Sequence, residues 1–508
     1  MMLKRTSSGY RSLKESSSEL EVAVQASEGS MASPTGITPF LIFLVFVVTL
    51  GPFQFGYHLG ELNAPEKVIT CTVDEPPRYG VLSLPQCIPM DAAEWGMIQS
   101  VFTIGGLFGA LFSGSVATRF GRLVAVRGLT LFLAIGPIAE ALAGSMWVMG
   151  LGRTISGLGA GAATVVAPMY ISEVAPAESR GLFGAFTQVQ INLGIFIAQL
   201  LGYFLSTNDK WRWILAAAGF VAGATFFGLM LAPETPKWLA ANNQPRMAMG
   251  ILQRIRGREA DIGEEMADWE ISGEAEEESL LGPPRGSGSQ RQPIMSFLEV
   301  VRNPTYRRAV IAVSGVMMAQ QLSGINSVVM YSVSILGNIM PNQAALITVM
   351  VSATNVLVTL ATAPLADRLG RKPCLLLSLA GMGSASVMLA AGLSNDARVP
   401  IVLGLVLFVC SFGAGLGPVP FILASELVGP EAVGATSSWA LACNWLSTFL
   451  VAQFFPMINA ALPRGSVFWI FAALAAAFGA FVGLFVPESK GRANADEVWR
   501  RQSRSSEL

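Results

Sequence analysis

The sequence predicts an all-α membrane protein, with twelve transmembrane helices in two six-helix halves and a short cytosolic helical segment between them. Three observations predict it. The 508 residues are 52% hydrophobic and 13% charged, about half the charge of a soluble domain, and their mean hydropathy is +0.53. Apolar stretches of about 20 residues, long enough to cross the hydrocarbon core as helices, recur along the chain. A short basic loop also occurs twice between such stretches, as Gly114-Ser-Val-Ala-Thr-Arg-Phe-Gly-Arg122 and as Ala363-Pro-Leu-Ala-Asp-Arg-Leu-Gly-Arg-Lys372. A duplicated basic loop between spans marks a carrier built from two like halves.

Residues 1–38 are Ser-rich and polar. They lack the apolar core and cleavage site of a signal peptide and read as a disordered cytosolic tail. The N-terminal half, 39–232, has spans expected at 40–62, 94–117, 123–143, 147–171, 183–205 and 212–232. The segment 233–307 breaks the apolar pattern and reads as a cytosolic linker with short helices. It opens on Pro233-Glu-Thr-Pro-Lys-Trp-Leu239 and continues into an amphipathic patch, 245–256. An acidic run from Glu264 to Glu278 reads as solvated surface, and Gly282-Pro-Pro-Arg-Gly-Ser-Gly-Ser289 as a flexible join. The C-terminal half, 308–486, has spans expected at 308–336, 343–366, 373–393, 399–425, 433–458 and 466–486, and 487–508 follows as a cytosolic tail.

Arginine and lysine set the orientation. They crowd the 2–3 loop (Arg119, Arg122, Arg127), the 8–9 loop (Arg368, Arg371, Lys372) and the middle segment, which places both termini in the cytosol. The net charge of −1 gives no reason to expect a nucleic-acid partner. Cys71 and Cys87 share the non-cytosolic 1–2 loop, where a disulfide is permitted; the sequence leaves that bond open. With one histidine in the chain no metal cluster is expected, no nucleophile–base pair is visible, and no cofactor is expected.

The repeat extends beyond the basic loops. Pro168-Met-Tyr-Ile-Ser-Glu173 is echoed by Pro420-Phe-Ile-Leu-Ala-Ser-Glu426, and Pro233-Glu-Thr-Pro-Lys237 by Pro487-Glu-Ser-Lys490. Three matched pairs imply parallel halves related by an axis along the membrane normal, with a site between them near mid-membrane. In each basic loop the glycine permits a tight turn, and the arginines are placed to pair with acids and helix C-terminal carbonyls. Arg119, Arg122, Glu173, Arg180 and Glu234 form the candidate gating set of the first half. Asp367, Arg368, Arg371, Glu426 and Glu488 form that of the second. Such a network is expected to hold the halves closed on the cytosolic side and to part when they rock.

These motifs, with Gln320-Gln-Leu-Ser-Gly-Ile-Asn326 and Pro487-Glu-Ser-Lys-Gly-Arg492, resemble the sugar porter branch of the major facilitator superfamily from about residue 45 to 495. The run from Phe53 to Pro65 is similar to the first span of facilitative glucose transporters, and its His and Glu resemble a fungal subgroup linked to the vacuolar membrane. The resemblance implies alternating-access transport of a glucose-like hexose across a vacuolar or plasma membrane by a monomer in the lipid bilayer. A hexose is neutral and rich in hydroxyls, with one apolar face. Its site needs amides that both donate and accept, and aromatic surface. The family's site positions match Gln188, Gln320, Gln321, Asn326, Asn355 and Asn444, with Phe55, Phe412, Phe421 and Trp445 nearby. Phe421 stands where the family has Trp, and Gly413 where some glucose carriers have an acid. Thr118 replaces the Asp of its twin loop, and the arginine expected after Glu426 is missing.

His58, in span 1, is the only histidine. Proton-coupled relatives carry Asp there, facing an arginine that matches Arg153. Histidine has the unperturbed pKa nearest physiological pH, but a positive His58 beside Arg153 would be repelled. Glu61, three residues on and on the same helical face, either carries the negative charge or sits at the outer end of span 1. Three readings stay open: proton-coupled transport through His58, Glu61 and Arg153; an uncoupled facilitator with neutral His58; and a non-transporting sensor, disfavoured by the short C-terminal tail. Glu140, a second buried acid, has no role that the sequence assigns.

Overall fold

The computed structural model describes residues 37–72, 84–176, 179–258, 260–263, 265–266, 297–337, 339–362, 365–492 and 497–499. The expected N-terminal tail, the acidic run past Met266 and the join at 282–289 lie outside the described residues. Twelve helices among those described are long and apolar enough to cross a membrane. Spans 1 to 6 are Pro39–Gly60, Ala92–Phe120, Arg122–Ala141, Met146–Val174, Arg180–Leu205 and Trp211–Met230. Span 7 is broken into Pro304–Leu322 and Ile325–Gly337; span 8 is Ala344–Thr362 and span 9 is Arg371–Ser394. Span 10 is broken into Arg398–Ala414 and Val419–Glu426, and spans 11 and 12 are Pro430–Ala461 and Ser466–Phe485.

Local chemistry fixes the ends of these helices. Thr38 caps span 1, its hydroxyl accepting from the Leu41 N–H at 3.2 Å. Asp91 and Glu94 form a capping box at the head of span 2. Gly121 and Gly370 turn the chain between spans 2 and 3 and between spans 8 and 9, at φ of +104° and +105°, a region that other residues enter at a cost. The repeated glycine of the basic loops therefore has a backbone cause. The breaks in spans 7 and 10 fall at Ser323-Gly324 and at Gly415–Pro418, where freed backbone groups are tolerated only if they are buried against protein or line a cavity.

Among its described residues the middle segment forms three short helices, Pro236–Ala241, Pro245–Arg256 and Phe297–Arg302. The second is tied to the bundle at both flanks. The Thr38 hydroxyl donates to the Ile255 carbonyl at 2.6 Å, and the Arg256 guanidinium donates to the Val174 carbonyl at 2.6 Å.

The halves meet chiefly toward the end that carries the 1–2 loop. Asn63, just after span 1, donates to the Val329 carbonyl and to the Ser332 hydroxyl of span 7, both at 2.8 Å, and accepts from the Val333 N–H at 3.0 Å. Gln199 of span 5 donates to the Val329 carbonyl at 3.2 Å and accepts from the Ser352 hydroxyl. Ser100 donates to Gln453 at 2.8 Å. Toward the other end, Asn192 donates to the Thr359 hydroxyl at 2.7 Å. The 1–2 loop is itself pinned. Cys71 and Cys87 are disulfide-bonded, the Trp211 indole donates to the Gln86 carbonyl at 2.7 Å, and Arg212 donates to the Pro85 carbonyl at 2.7 Å.

Candidate functional site

The break in span 10 leaves the Leu416 and Gly417 carbonyls without helical partners, and the Gln320 amide donates to both, at 2.6 and 3.0 Å. The Gln320 carbonyl accepts from the Asn444 amide at 2.5 Å, and Gln321 donates to the Asn444 carbonyl at 3.2 Å. Asn326, just past the break in span 7, donates to the Gln321 carbonyl at 2.6 Å. Four of the six expected amides thus form one connected network in the second half. Gln188 is bonded to Asn192 in span 5 at 3.4 Å. Asn355 is buried in span 8 with its carbonyl oxygen unpartnered. The aromatics divide as well. Trp445 is buried beside Asn444, and its ring lies 5.4 Å, centroid to centroid, from that of Phe55 across the two halves. The Trp445 indole N–H is buried without a hydrogen-bond partner. Phe412 is buried at the break in span 10, whereas Phe421 is 47% exposed.

Phe102 of span 2, which no sequence motif singles out, connects two clusters. Its ring lies 6.3 Å from that of Phe55 and 6.4 Å from that of Trp445. On its other side the Arg153 guanidinium lies 4.7 Å from the ring centroid, a cation–π contact strengthened by exclusion of water.

Beyond Phe102 lies a charged cluster, fully buried. Glu61 caps the outer end of span 1, but its carboxylate is buried inside the first half at 0% exposure, which favours the alternative in which it carries the negative charge of the cluster. Arg153 donates to Glu61 Oε1 at 2.7 Å, to the His58 carbonyl at 3.1 Å, and to Gln99 at 3.4 Å. His58 Nδ1 lies 2.7 Å from the same Glu61 oxygen; against an ionised carboxylate, which only accepts, Nδ1 carries the proton. Glu61 therefore screens His58 from Arg153, which removes the repulsion that a direct His–Arg contact would bring. Glu140 of span 3 completes the group, 3.8 Å from Arg153 and accepting from the Ser156 hydroxyl at 2.6 Å. Gly152 lets it approach, since a Cβ there would lie 2.7 Å from Glu140 Cγ.

The expected gating residues form two equivalent sets. Arg122 pairs with Glu173 at 2.8 Å, and Arg371 with Glu426 at 2.7 Å. Glu234 and Glu488 accept from backbone N–H groups, of Arg122 and Leu123 and of Arg371 and Lys372, at about 3 Å. They cap the N-termini of spans 3 and 9, where the helix dipole favours a negative charge. Burial pushes the Glu234 carboxyl up, while the N–H groups of Thr235, Leu123 and Arg122 draw it down. Arg119 and Arg368 are exposed; the side chains of Arg180 and Asp367 lie outside those described. In this conformation every one of these pairs stays within its own half. The Arg-X-Gly-Arg turn of each half faces the acid that ends span 4 or span 10 of that half, so the pairs brace the halves singly and do not join them.

Comparison with known proteins agrees with this layout. Residues 44–499 match the family described as sugar (and other) transporters. The chain is 34% identical over 487 residues to the probable metabolite transport protein YBR241C of Saccharomyces cerevisiae, covering 93% of this chain and 97% of that one. It is 33% identical over 482 residues to the facilitated glucose transporter member 3 of solute carrier family 2 from Bos taurus, covering 90% and 92%. Among solved structures, a partially occluded inward-open conformation of the xylose transporter XylE from E. coli superposes with a TM-score of 0.72 at 24% identity, covering 90% of this chain and 100% of that one. With a family match across nearly its whole membrane domain, the chain belongs to the sugar transporter family.

Proposed function

We propose that this transporter moves a glucose-like hexose together with protons by alternating access. The supporting observation is the continuous path from the amide network of Gln320, Gln321, Asn326 and Asn444, through Trp445, Phe55 and Phe102, to Arg153, Glu61 and His58. Amides of both polarities and an unused indole N–H suit the hydroxyls and apolar face of a hexose. Intramembrane ionisable groups that contact each other are functional by default. Because Trp445 and Phe55 come from opposite halves, a sugar held by the amides senses how the halves are arranged, and Phe102 carries that arrangement to the guanidinium. Gln188, Asn355 and Phe412 complete the sugar site in this reading, with Phe421 its exposed member.

The basic loops favour a cytosolic location for the Arg-X-Gly-Arg ends and for both termini. The seal of Asn63, Gln199 and Ser100 then closes the non-cytosolic side, and the conformation is inward-facing. Sugar and proton shift the population between this state and its outward-facing counterpart. The single histidine, and the name of a relative 31% identical, the vacuolar protein sorting-associated protein 73 of Saccharomyces cerevisiae, favour the vacuolar over the plasma membrane. Radiolabelled glucose uptake into proteoliposomes, with and without an inward proton gradient, tests the reading. Uphill accumulation is expected. Equilibration unaffected by pH makes the protein a facilitator, and no hexose uptake at all removes the substrate assignment.

A further inference from the structure

We propose that Glu140 creates the proton requirement of this transporter: it is the second buried negative charge beside a single arginine, and the occluded cluster closes around one proton shared between Glu140 and His58. This rests on the proton-coupled reading above and assigns it to a residue outside the set that the sequence suggests.

The argument is a charge count. His58, Glu61, Glu140 and Arg153 are each at 0% exposure. A buried charge without compensation is costly, so the cluster sits near neutrality. Arg153 is committed to Glu61 at 2.7 Å, with Glu140 at 3.8 Å. That pair is neutral, and Glu140 leaves one negative charge over. Among the described residues no other cation is placed to balance it. The groups facing Glu140 are Ser156 and Arg153 of span 4 and His58 and Glu61 of span 1. Arg212, at the head of span 6, is engaged by the Ala141 and Ala143 carbonyls, and the Tyr57 hydroxyl by the Ile214 carbonyl. A single added proton restores neutrality, and three buried acceptor atoms lack a hydrogen-bond partner, Glu61 Oε2, Glu140 Oε2 and His58 Nε2; Glu61 already holds both Arg153 and His58 Nδ1 through its other oxygen, which leaves Glu140 and His58 to take the proton. Donor atoms of His58, Glu61 and Glu140 all lie within 4.8 Å of one another, but a metal ion among them would meet the Arg153 guanidinium bonded to the same Glu61 oxygen. A proton is the cation that fits.

The count makes the two proton positions unequal. With Glu140→Gln, Glu61 and Arg153 already balance, and protonating His58 would add an uncompensated charge, so the cluster no longer calls for a proton. With His58→Asn, two carboxylates still face one arginine, and the proton stays on Glu140. The lone histidine is then a helper, and the coupling resides in the acid.

Gradient-driven glucose accumulation and sugar exchange, both in proteoliposomes, test this on wild type, E140Q and H58N. The expected result is uphill accumulation by wild type, slower but still uphill accumulation by H58N, and exchange without accumulation by E140Q. Accumulation by E140Q at the wild-type level overturns the proposal, as does loss in H58N with retention in E140Q. If wild type does not accumulate sugar, the coupled reading fails by itself. The pH profile of exchange then decides: an acid-dependent limb present in wild type and absent in E140Q supports a Glu140 proton site, and identical profiles overturn it. Should E140Q fail to exchange sugar, Ser156→Ala serves instead. Removing the hydroxyl that stabilises the carboxylate should raise the proton affinity of the cluster about tenfold, moving the profile alkaline by about one unit. An unmoved profile overturns the proposal.

Discussion

Asn444 bonds to both Gln320 and Gln321, so it holds the network together. Replacing it by alanine removes its bonds to Gln320 and Gln321 and leaves the Gln320 carbonyl with only the 3.4 Å bond from Gln321, a loss of about 1–3 kcal/mol, and glucose affinity should fall about tenfold or more. Equilibrium glucose binding to purified N444A checks this, and an unchanged Kd sinks the sugar-site reading. Glu66 carries a second prediction at this scale. It lies past span 1, with the Ser334 hydroxyl of the opposite half 3.5 Å from Oε1 and no partner at Oε2. Burial pushes its carboxyl up to about 7, against the opposing effects of Ser334 and of neighbouring Lys67. If the halves part there and water returns, the carboxyl goes back toward its ordinary range. The closed seal therefore binds the extra proton. Its stabilisation is full below the ordinary carboxylate range and is lost as pH rises through about 7. Raising non-cytosolic pH from 5 to 8 should thus favour the outward-facing form, and Glu66→Gln should abolish that dependence, as read by labelling of a cysteine placed in the seal. The sequence shows the His58–Glu61 pairing because three residues apart is one helical face. It gives no role to Glu140 or Phe102, because their partners lie on other helices and only packing brings them together.

At the level of helices, hydropathy places the spans within a few residues of their observed ends, because about 20 apolar residues have one stable arrangement in lipid. The breaks inside spans 7 and 10 are hidden from hydropathy, since each run, polar though span 7 is around Gly324, is apolar enough over its length to read as one span. The break in span 10 supplies the carbonyls that anchor Gln320, so a feature that hydropathy hides is among the most consequential. The turns before spans 3 and 9 are legible from the repeated glycine and are stringent. Gly121→Ala puts a Cβ 2.4 Å from Glu234 Oε2 at a left-handed φ, costing about 1–2 kcal/mol of backbone strain and disturbing the acidic cap. A melting temperature lower by about 2 °C or more is expected, with a similar fall for Gly370→Ala beside Glu488. Melting curves equal to wild type would show that the turns tolerate a side chain.

Over the whole molecule, the repeat announces two halves but not how they are tilted. That choice rests on neutral hydrogen bonds of Asn63, Ser100 and Gln199, each worth about 1 kcal/mol, and no motif marks them. A seal of that strength is reversible by design, so tying it shut should stop transport. In a Cys71→Ser/Cys87→Ser background, a disulfide between Asn63→Cys and Ser332→Cys should abolish glucose exchange and a reductant should restore it. Exchange that survives complete cross-linking would mean that the halves do not part here.

The bond between Cys71 and Cys87 has a further consequence, for biogenesis. It forms only where thiols are oxidised, which under the proposed orientation is the far side of the membrane from the ribosome. A chain threaded the right way round acquires it; a chain inserted upside down presents two reduced thiols to the cytosol and loses the clasp on its 1–2 loop. The bond is thus a covalent record of correct insertion, readable in sealed vesicles by a thiol reagent that cannot cross the bilayer.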